Sequence, residues 1–195
     1  KVLDKASHNP SLKLFMVLLG CKPQGRLTEQ HDVFFGIAED LKTLVPEMKA
    51  FWPEAKGLIH IDAWREVTSV KGYPVRVMDG KRPAGEDRNF LFFINLGGYK
   101  SGEFEEYHYK LLAVGNTSGQ AILQAKETAF YKHTGFRGAL SHVDDKYGLD
   151  TDDLFKVEDV LRPALKGRYW LSIEAPDESP EDLLHIGYTP LKSLT

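Results

Sequence analysis

Two stretches of this chain lie over each other without a gap. Leu14-Phe-Met-Val-Leu-Leu-Gly-Cys-Lys-Pro-Gln-Gly-Arg-Leu-Thr-Glu-Gln-His31 matches Leu91-Phe-Phe-Ile-Asn-Leu-Gly-Gly-Tyr-Lys-Ser-Gly-Glu-Phe-Glu-Glu-Tyr-His108. Seven pairs are identical, namely Leu14/Leu91, Phe15/Phe92, Leu19/Leu96, Gly20/Gly97, Gly25/Gly102, Glu29/Glu106 and His31/His108, all at one offset of 77. Further on, Leu58-Ile-His-Ile-Asp62 answers Leu140-Ser-His-Val-Asp144 at an offset of 82, which places about five extra residues of the second copy near Tyr131 to Gly138. A repeat of this kind limits the fold more than any local propensity, because each copy must be one supersecondary unit.

The pattern within a copy predicts strands first. Leu14 to Leu19 is a short apolar run that stops at glycine, with Gly25 five residues later, so a strand followed by a turn is expected. The stretches from Leu27 to Ala38 and from Phe104 to Val114 are rich in strand formers and should close a hairpin in each copy. Asp40 and Ser118 are good helix N-caps, and Leu41, Leu44, Val45, Met48 and Trp52 recur at helical spacing. Pro46 breaks or restarts that first helix and Pro53 should end it, whereas the second, from about Gln120 to Tyr131, has no such interruption.

Strands over Leu58 to Trp64 and Tyr73 to Met78 complete the first copy, with counterparts near Ala139 to Asp144 and Leu154 to Val157. The expected architecture is α+β: two tandem ββαββ repeats related by a pseudo-two-fold, each a small, mainly antiparallel sheet with one helix. Residues 1–13 read as a polar lead-in, 14–78 as the first repeat, 79–89 as a linker, 90–160 as the second repeat and 161–195 as a C-terminal extension. In that extension Tyr169 to Ile173 reads as an added strand and Ser179 as the cap of a short helix through Leu184.

Composition decides which partners fit. The 195 residues are 42% hydrophobic and 27% charged, as in an ordinary globular protein. A net charge of −3 with scattered lysines and arginines argues against nucleic acid. The longest apolar run is too short to span a bilayer. A single cysteine, Cys21, cannot form an internal disulfide. Together with a start lacking signal-peptide features, this makes the expected location cytoplasmic.

Four of the seven histidines occupy the repeated stretches. Residues two apart in a strand share a face, so Glu29 projects with His31, Glu106 with His108, His60 with Asp62, and His142 with Asp144. Ile59, Ile61 and Ala63 should then face the helix. If the strands of a unit are neighbours, a Glu, His, His, Asp cluster results. Two imidazoles with carboxylates suit zinc, iron or manganese, and the same set suits general acid and base work. Histidine–carboxylate pairs more commonly only satisfy polar groups where a hairpin meets a neighbouring strand. The Gly20–Arg26 loop, with two basic residues, is a weaker anion-binding candidate; its counterpart Gly97–Glu103 keeps one lysine and ends in an acid. Cys21 has Gly98 as its repeat partner and reads as a buried, inert thiol.

The doubled Leu-Gly-x-x-x-x-Gly-x-x-x-Glu-x-His pattern, at Leu19 to His31 and Leu96 to His108, resembles that of a bacterial family known as domain of unknown function 1543. The resemblance runs from about Leu14 to Val160 and implies one or two copies per chain but no activity. Three readings stay open. The chain is a small-molecule or metal-ion binding protein, with an enzyme included; an interaction module that meets a protein partner through edge strands and the Tyr99/Tyr107 region; or, against its charge, a nucleic-acid binder. The first is preferred because the recurring residues are ionisable. Glu103 in place of Arg26 and Tyr109 in place of Asp32 mark the second copy's site as the one that has diverged.

Overall fold

The computed structural model describes residues 7–83, 89–99, 102–128 and 154–195. The chain divides into two units: one runs to Pro83 and resumes over Leu161–Thr195, and the other is Ala84–Val160. Both are mixed α and β, with antiparallel sheets and few helices. No helix among the described residues is long and apolar enough to cross a membrane.

In the first unit, β1 (Lys13–Cys21) and β2 (Gln30–Ala38) form an antiparallel hairpin with Leu14 opposite Ile37 and Gly20 opposite His31. Strand β3 (His60–Glu66) pairs with the other edge of β1, and β10 (His185–Pro190) pairs with β3, so the sheet order is β10-β3-β1-β2. Alternation along β1 sends Phe15, Val17, Leu19 and Cys21 to one face. There they meet Leu41, Leu44, Val45 and Met48 of the helical segment in one core. That segment begins as a 3-10 turn, Lys42–Leu44, and restarts as α1 (Val45–Phe51) with Pro46 in its first turn, where a missing N–H costs nothing. The Asp40 carboxylate accepts hydrogen bonds from the Thr43 N–H (2.8 Å) and hydroxyl (2.8 Å) at its start.

The fourth strand of the expected repeat does not join this sheet. β4 (Ser69–Val70), β5 (Tyr73–Asp79) and β9 (Tyr169–Ile173) form a separate sheet of order β4-β5-β9. The C-terminal segment therefore supplies one strand to each sheet of the first unit. Its expected helix from Ser179 to Leu184 is absent: the stretch has no regular secondary structure. Asp182 accepts from the N–H groups of Thr68 (3.0 Å) and Ser69 (2.9 Å), and Glu181 from that of Lys71 (2.7 Å). These carboxylates serve the backbone of another segment, and that demand outweighs a local helix start.

In the second unit, β6 (Phe90–Tyr99) and β7 (Glu106–Gly115) form a hairpin with Leu91 opposite Val114 and Gly97 opposite His108. The pairings of β1 and β2 all recur here shifted by the offset of 77, and one more, Tyr99 opposite Glu106, extends this hairpin. Gly25 and Gly102 each carry a φ of 82° in the turns. Phe92, Ile94 and Leu96 take the helix-facing places of Phe15, Val17 and Leu19, and they pack against Ala121 and Ala125 of α2 (Ser118–Lys126). The N-cap is Thr117, one residue before the expected Ser118; its hydroxyl accepts from the Gln120 N–H at 3.4 Å.

β8 (Leu154–Lys156) was expected to answer Tyr73 to Met78. It pairs instead with β6, Phe92 opposite Lys156 and Ile94 opposite Leu154, as β3 pairs Glu66 and Trp64 with Phe15 and Val17 of β1. By register β8 answers the end of β3. A single helical turn, Val157–Val160, follows it.

Candidate functional site

The strand ends differ from the sequence reading in a way that makes the site. β1 does not stop at Leu19 but continues through Gly20 and Cys21, and β2 begins at Gln30, so Gly20 is a strand residue rather than part of a loop. The connection therefore starts only at Lys22, which takes Gly20 and Cys21 out of the Gly20–Arg26 anion loop, and within it Arg26 N–H is bonded to the Pro23 carbonyl. Gly20 has His31 opposite it on β2 and His60 opposite it on β3. Directly opposed residues share a face. Both imidazoles therefore stand on either side of a residue with no side chain.

That space is filled by the predicted cluster. His60 Nε2 lies 2.6 Å from Glu29 Oε1 and 3.3 Å from Asp62 Oδ1, and His31 Nε2 lies 3.2 Å from Asp62 Oδ2. A Cβ built on Gly20 would overlap Asp62 Oδ2 and His60 Nε2 and approach Glu29 Oε1 to 2.8 Å. A glycine within a strand commonly marks such a close approach. Here what approaches is a group of ionisable side chains.

Asp62 owes its place to an irregularity. The register between β1 and β3 shifts there: Leu19 pairs with Ile61 and Leu18 with Ala63, which leaves Asp62 as the extra residue of a bulge. Bulges re-aim side chains, and this one also reverses the alternation beyond it. Ile59 and Ile61 enter the helix-facing core as expected, but Ala63 does not; Trp64 packs there in its stead.

The His60 side chain is 12% exposed, Asp62 27%, and Glu29 and His31 43% each, so a closed floor opens to a wet rim. Asp62 Oδ2 is buried and accepts no hydrogen bond, His31 being near it but badly aligned. A buried acceptor without a donor is a cost that native structures rarely leave unmet. Beside the cluster, burial pushes the Cys21 thiol above its usual pKa, with the Glu29 charge adding to the effect, which suits a core residue and not a nucleophile.

Two aromatic contacts from β10 flank these residues. The Tyr188 ring lies 4.4 Å from the His60 imidazole, tilted by 38°, and His185 stacks on Trp64 at 3.8 Å and 5°. Sequence reasoning missed both, since no short-range pattern links residue 188 to residue 60. The role of Gly20 was also missed, although Pro23 and Gly25 already offered the turn that was assigned to it.

In the second unit Glu106 and His108 lie 4.0 Å apart, with side chains as exposed as those of Glu29 and His31. Tyr107 donates its hydroxyl to Glu103, the residue in the place of Arg26, and that bond raises the tyrosine's pKa. His142 and Asp144 lie outside the described residues.

Residues 26–77 match the family model described as Domain of Unknown Function (DUF1543). The resemblance carried by the Glu-x-His pattern thus holds for the first unit. The match takes in Glu29, His31, His60 and Asp62, while Gly20 and Tyr188 fall outside it. No curated protein matches the chain. Among solved structures, the crystal structure of a protein Il1583 from Idiomarina loihiensis is similar, with a TM-score of 0.61 and 19% identity over 92% of this chain and 97% of that one. This is a likeness of fold.

Proposed function

We propose that the first unit binds a divalent transition-metal ion, zinc being the reference case, through Glu29, His60 and Asp62, with His31 at the rim. The observation that carries this reading is the convergence of one imidazole nitrogen and two carboxylate oxygens within 4.8 Å of one another. They converge over a strand position where any side chain would displace them. A cation would also satisfy the orphaned Asp62 Oδ2.

The distances bear on how it would load. Ligand atoms at about 2.0–2.1 Å around tetrahedral zinc stand roughly 3.3 Å apart. His60 to Asp62 is already at 3.3 Å, while His60 to Glu29, at 2.6 Å, is a contact that must open. Glu29 precedes β2 on the turn side and is half in solvent, so it is the ligand free to yield. The exposed rim leaves a coordination position for water or a small molecule, as a catalytic rather than a structural metal site would have. The counterparts in the second unit are Glu106 and His108, with His142 and Asp144 as their expected partners; Glu103 in place of Arg26 and Tyr109 in place of Asp32 keep the proposal to the first unit.

The alternative is an interaction module in which these pairs only tie strands together. The short His60–Glu29 approach favours it, since imidazole and carboxylate meet there without a metal. Elemental analysis of protein purified without an affinity tag, with His60→Ala and His108→Ala alongside, separates the two. One zinc, iron or manganese per chain, lost in His60→Ala, supports the metal site. Metal-free protein that also takes up no added zinc, with both variants only less stable, leaves the structural role.

A further inference from the structure

We infer that Tyr188 of the C-terminal strand is a positioning residue of this site, holding the His60 imidazole so that Nε2 faces Glu29 and Asp62. The inference rests on the metal-binding reading and deepens it, because it makes the first unit's site dependent on a segment 128 positions downstream of His60 and outside the family match.

The backbone of β10 is built to deliver this ring. The pairing with β3 passes from Ile186 opposite Ala63 to Thr189 opposite Ile61, so three steps of β10 span two of β3. The extra length falls at Gly187 and Tyr188, opposite Asp62. Gly187 has a φ of 141°, which residues with a Cβ rarely adopt, and this glycine lets the strand bulge there. β3 itself bulges at Asp62 against β1. Irregularities in two adjacent strand pairs thus coincide at one ligand, and the outer one lays Tyr188 against the imidazole at 4.4 Å.

Other contacts dock the strand, so the tyrosine ring is not needed for that. Upstream, Asp182 accepts from the Thr68 N–H and hydroxyl and from the Ser69 N–H, and His185 stacks on Trp64. Downstream, Leu191 is buried in the first unit's core. Tyr188 is 68% exposed, so its ring face on the imidazole is the contact that matters. An imidazole on a bulged strand has a second ring orientation open to it, and a neighbouring aromatic plane removes it. Hydrogen-bonding partners that orient a metal ligand are commonly worth about 10–100-fold in affinity, and this ring contact is assigned the same orienting task.

The test is cobalt(II) and zinc titration of the full chain and of Tyr188→Phe, Tyr188→Ala and His185→Ala, by calorimetry and by the visible spectrum of bound cobalt. Tyr188→Phe should stay within about twofold of wild type, while Tyr188→Ala should bind about 10–100-fold more weakly with an altered cobalt spectrum. Tryptophan fluorescence should report an unchanged fold. Wild-type affinity and spectrum in Tyr188→Ala would overturn the inference and leave the metal site standing. Equal weakening in His185→Ala would also overturn it, by tracing the effect to docking of the strand. If wild type binds neither ion, the site reading and this inference fall together.

Discussion

The two hairpins have one register and one pair of turn glycines, yet the described residues around them differ. Along β1 the third strand continues past the bulge to His60, opposite Gly20, and a fourth strand adds Tyr188. Along β6 the described third strand covers Phe92 to Ile94, well short of Gly97. The same local code therefore yields a four-residue cluster in one unit. In the other, the described residues show an open Glu106–His108 pair and a Tyr107–Glu103 bond. A hairpin fixes which residues stand beside one glycine, but which strand arrives at its free edge fixes what they can bind.

The largest expected effect tests whether the shared part is energetically equal. Leu19 and Leu96 are equivalent in register and both fully buried. Leu19→Ala and Leu96→Ala should each cost about 2–5 kcal/mol in urea unfolding followed by circular dichroism. A cost under about 1 kcal/mol at either leucine would break the equivalence of the two cores.

Next in size is the contrast between the glycines. Gly20→Ala should reduce zinc affinity at least 100-fold, roughly the upper end of what outer partners alone contribute, because the new methyl stands where the ligands meet. Gly97→Ala should leave that affinity unchanged. Equal losses in both variants, read by calorimetry, would extend the site to the second unit; no loss in Gly20→Ala would remove it from the first.

The smallest effects distinguish how each helical segment begins. Thr117→Ala should cost about 1 kcal/mol at any pH, since a hydroxyl cap does not titrate. The N-cap of the first segment is Leu41, one residue after the expected Asp40, and the Asp40 carboxylate that bonds Thr43 there does titrate. Hydrogen bonds from the Thr43 N–H and hydroxyl hold this carboxyl below its usual range. Its stabilisation is therefore complete above the unfolded value of roughly 3.9 and disappears as pH falls through the lower folded one. All three tryptophans, Trp52, Trp64 and Trp170, lie in the first unit, so their fluorescence follows it. Wild type and Asp40→Ala should differ in urea midpoint near neutral pH and converge in acid. A difference that persists at about pH 2, well below the unfolded carboxyl value, would assign the effect to something other than the carboxylate.

Much of this was legible in the residues. Identity at one offset placed the hairpins, the apolar alternation of Ile59 and Ile61 chose the helix-facing side of the third strand, and the Glu-x-His and His-x-Asp spacings named all four residues that meet over Gly20. These features are local: period-two alternation acts within one strand, and a turn sets the register of the strands it joins. Even so, His60 and Asp62 lie together although the strand between them bulges, while the same alternation carried one step further misplaced Ala63.

What the sequence by itself determined is the pair of hairpins and the side chains available beside Gly20. Only the tertiary structure decided that Gly20 lies within a strand beneath those side chains, that Asp182 and Glu181 bind distant backbone instead of starting a helix, and that Tyr188 meets His60. The physical reason is sequence separation. Contacts between residues more than a hundred positions apart leave no periodicity in the chain, because they are selected by which polar groups and strand edges are still unpaired once the local elements have formed.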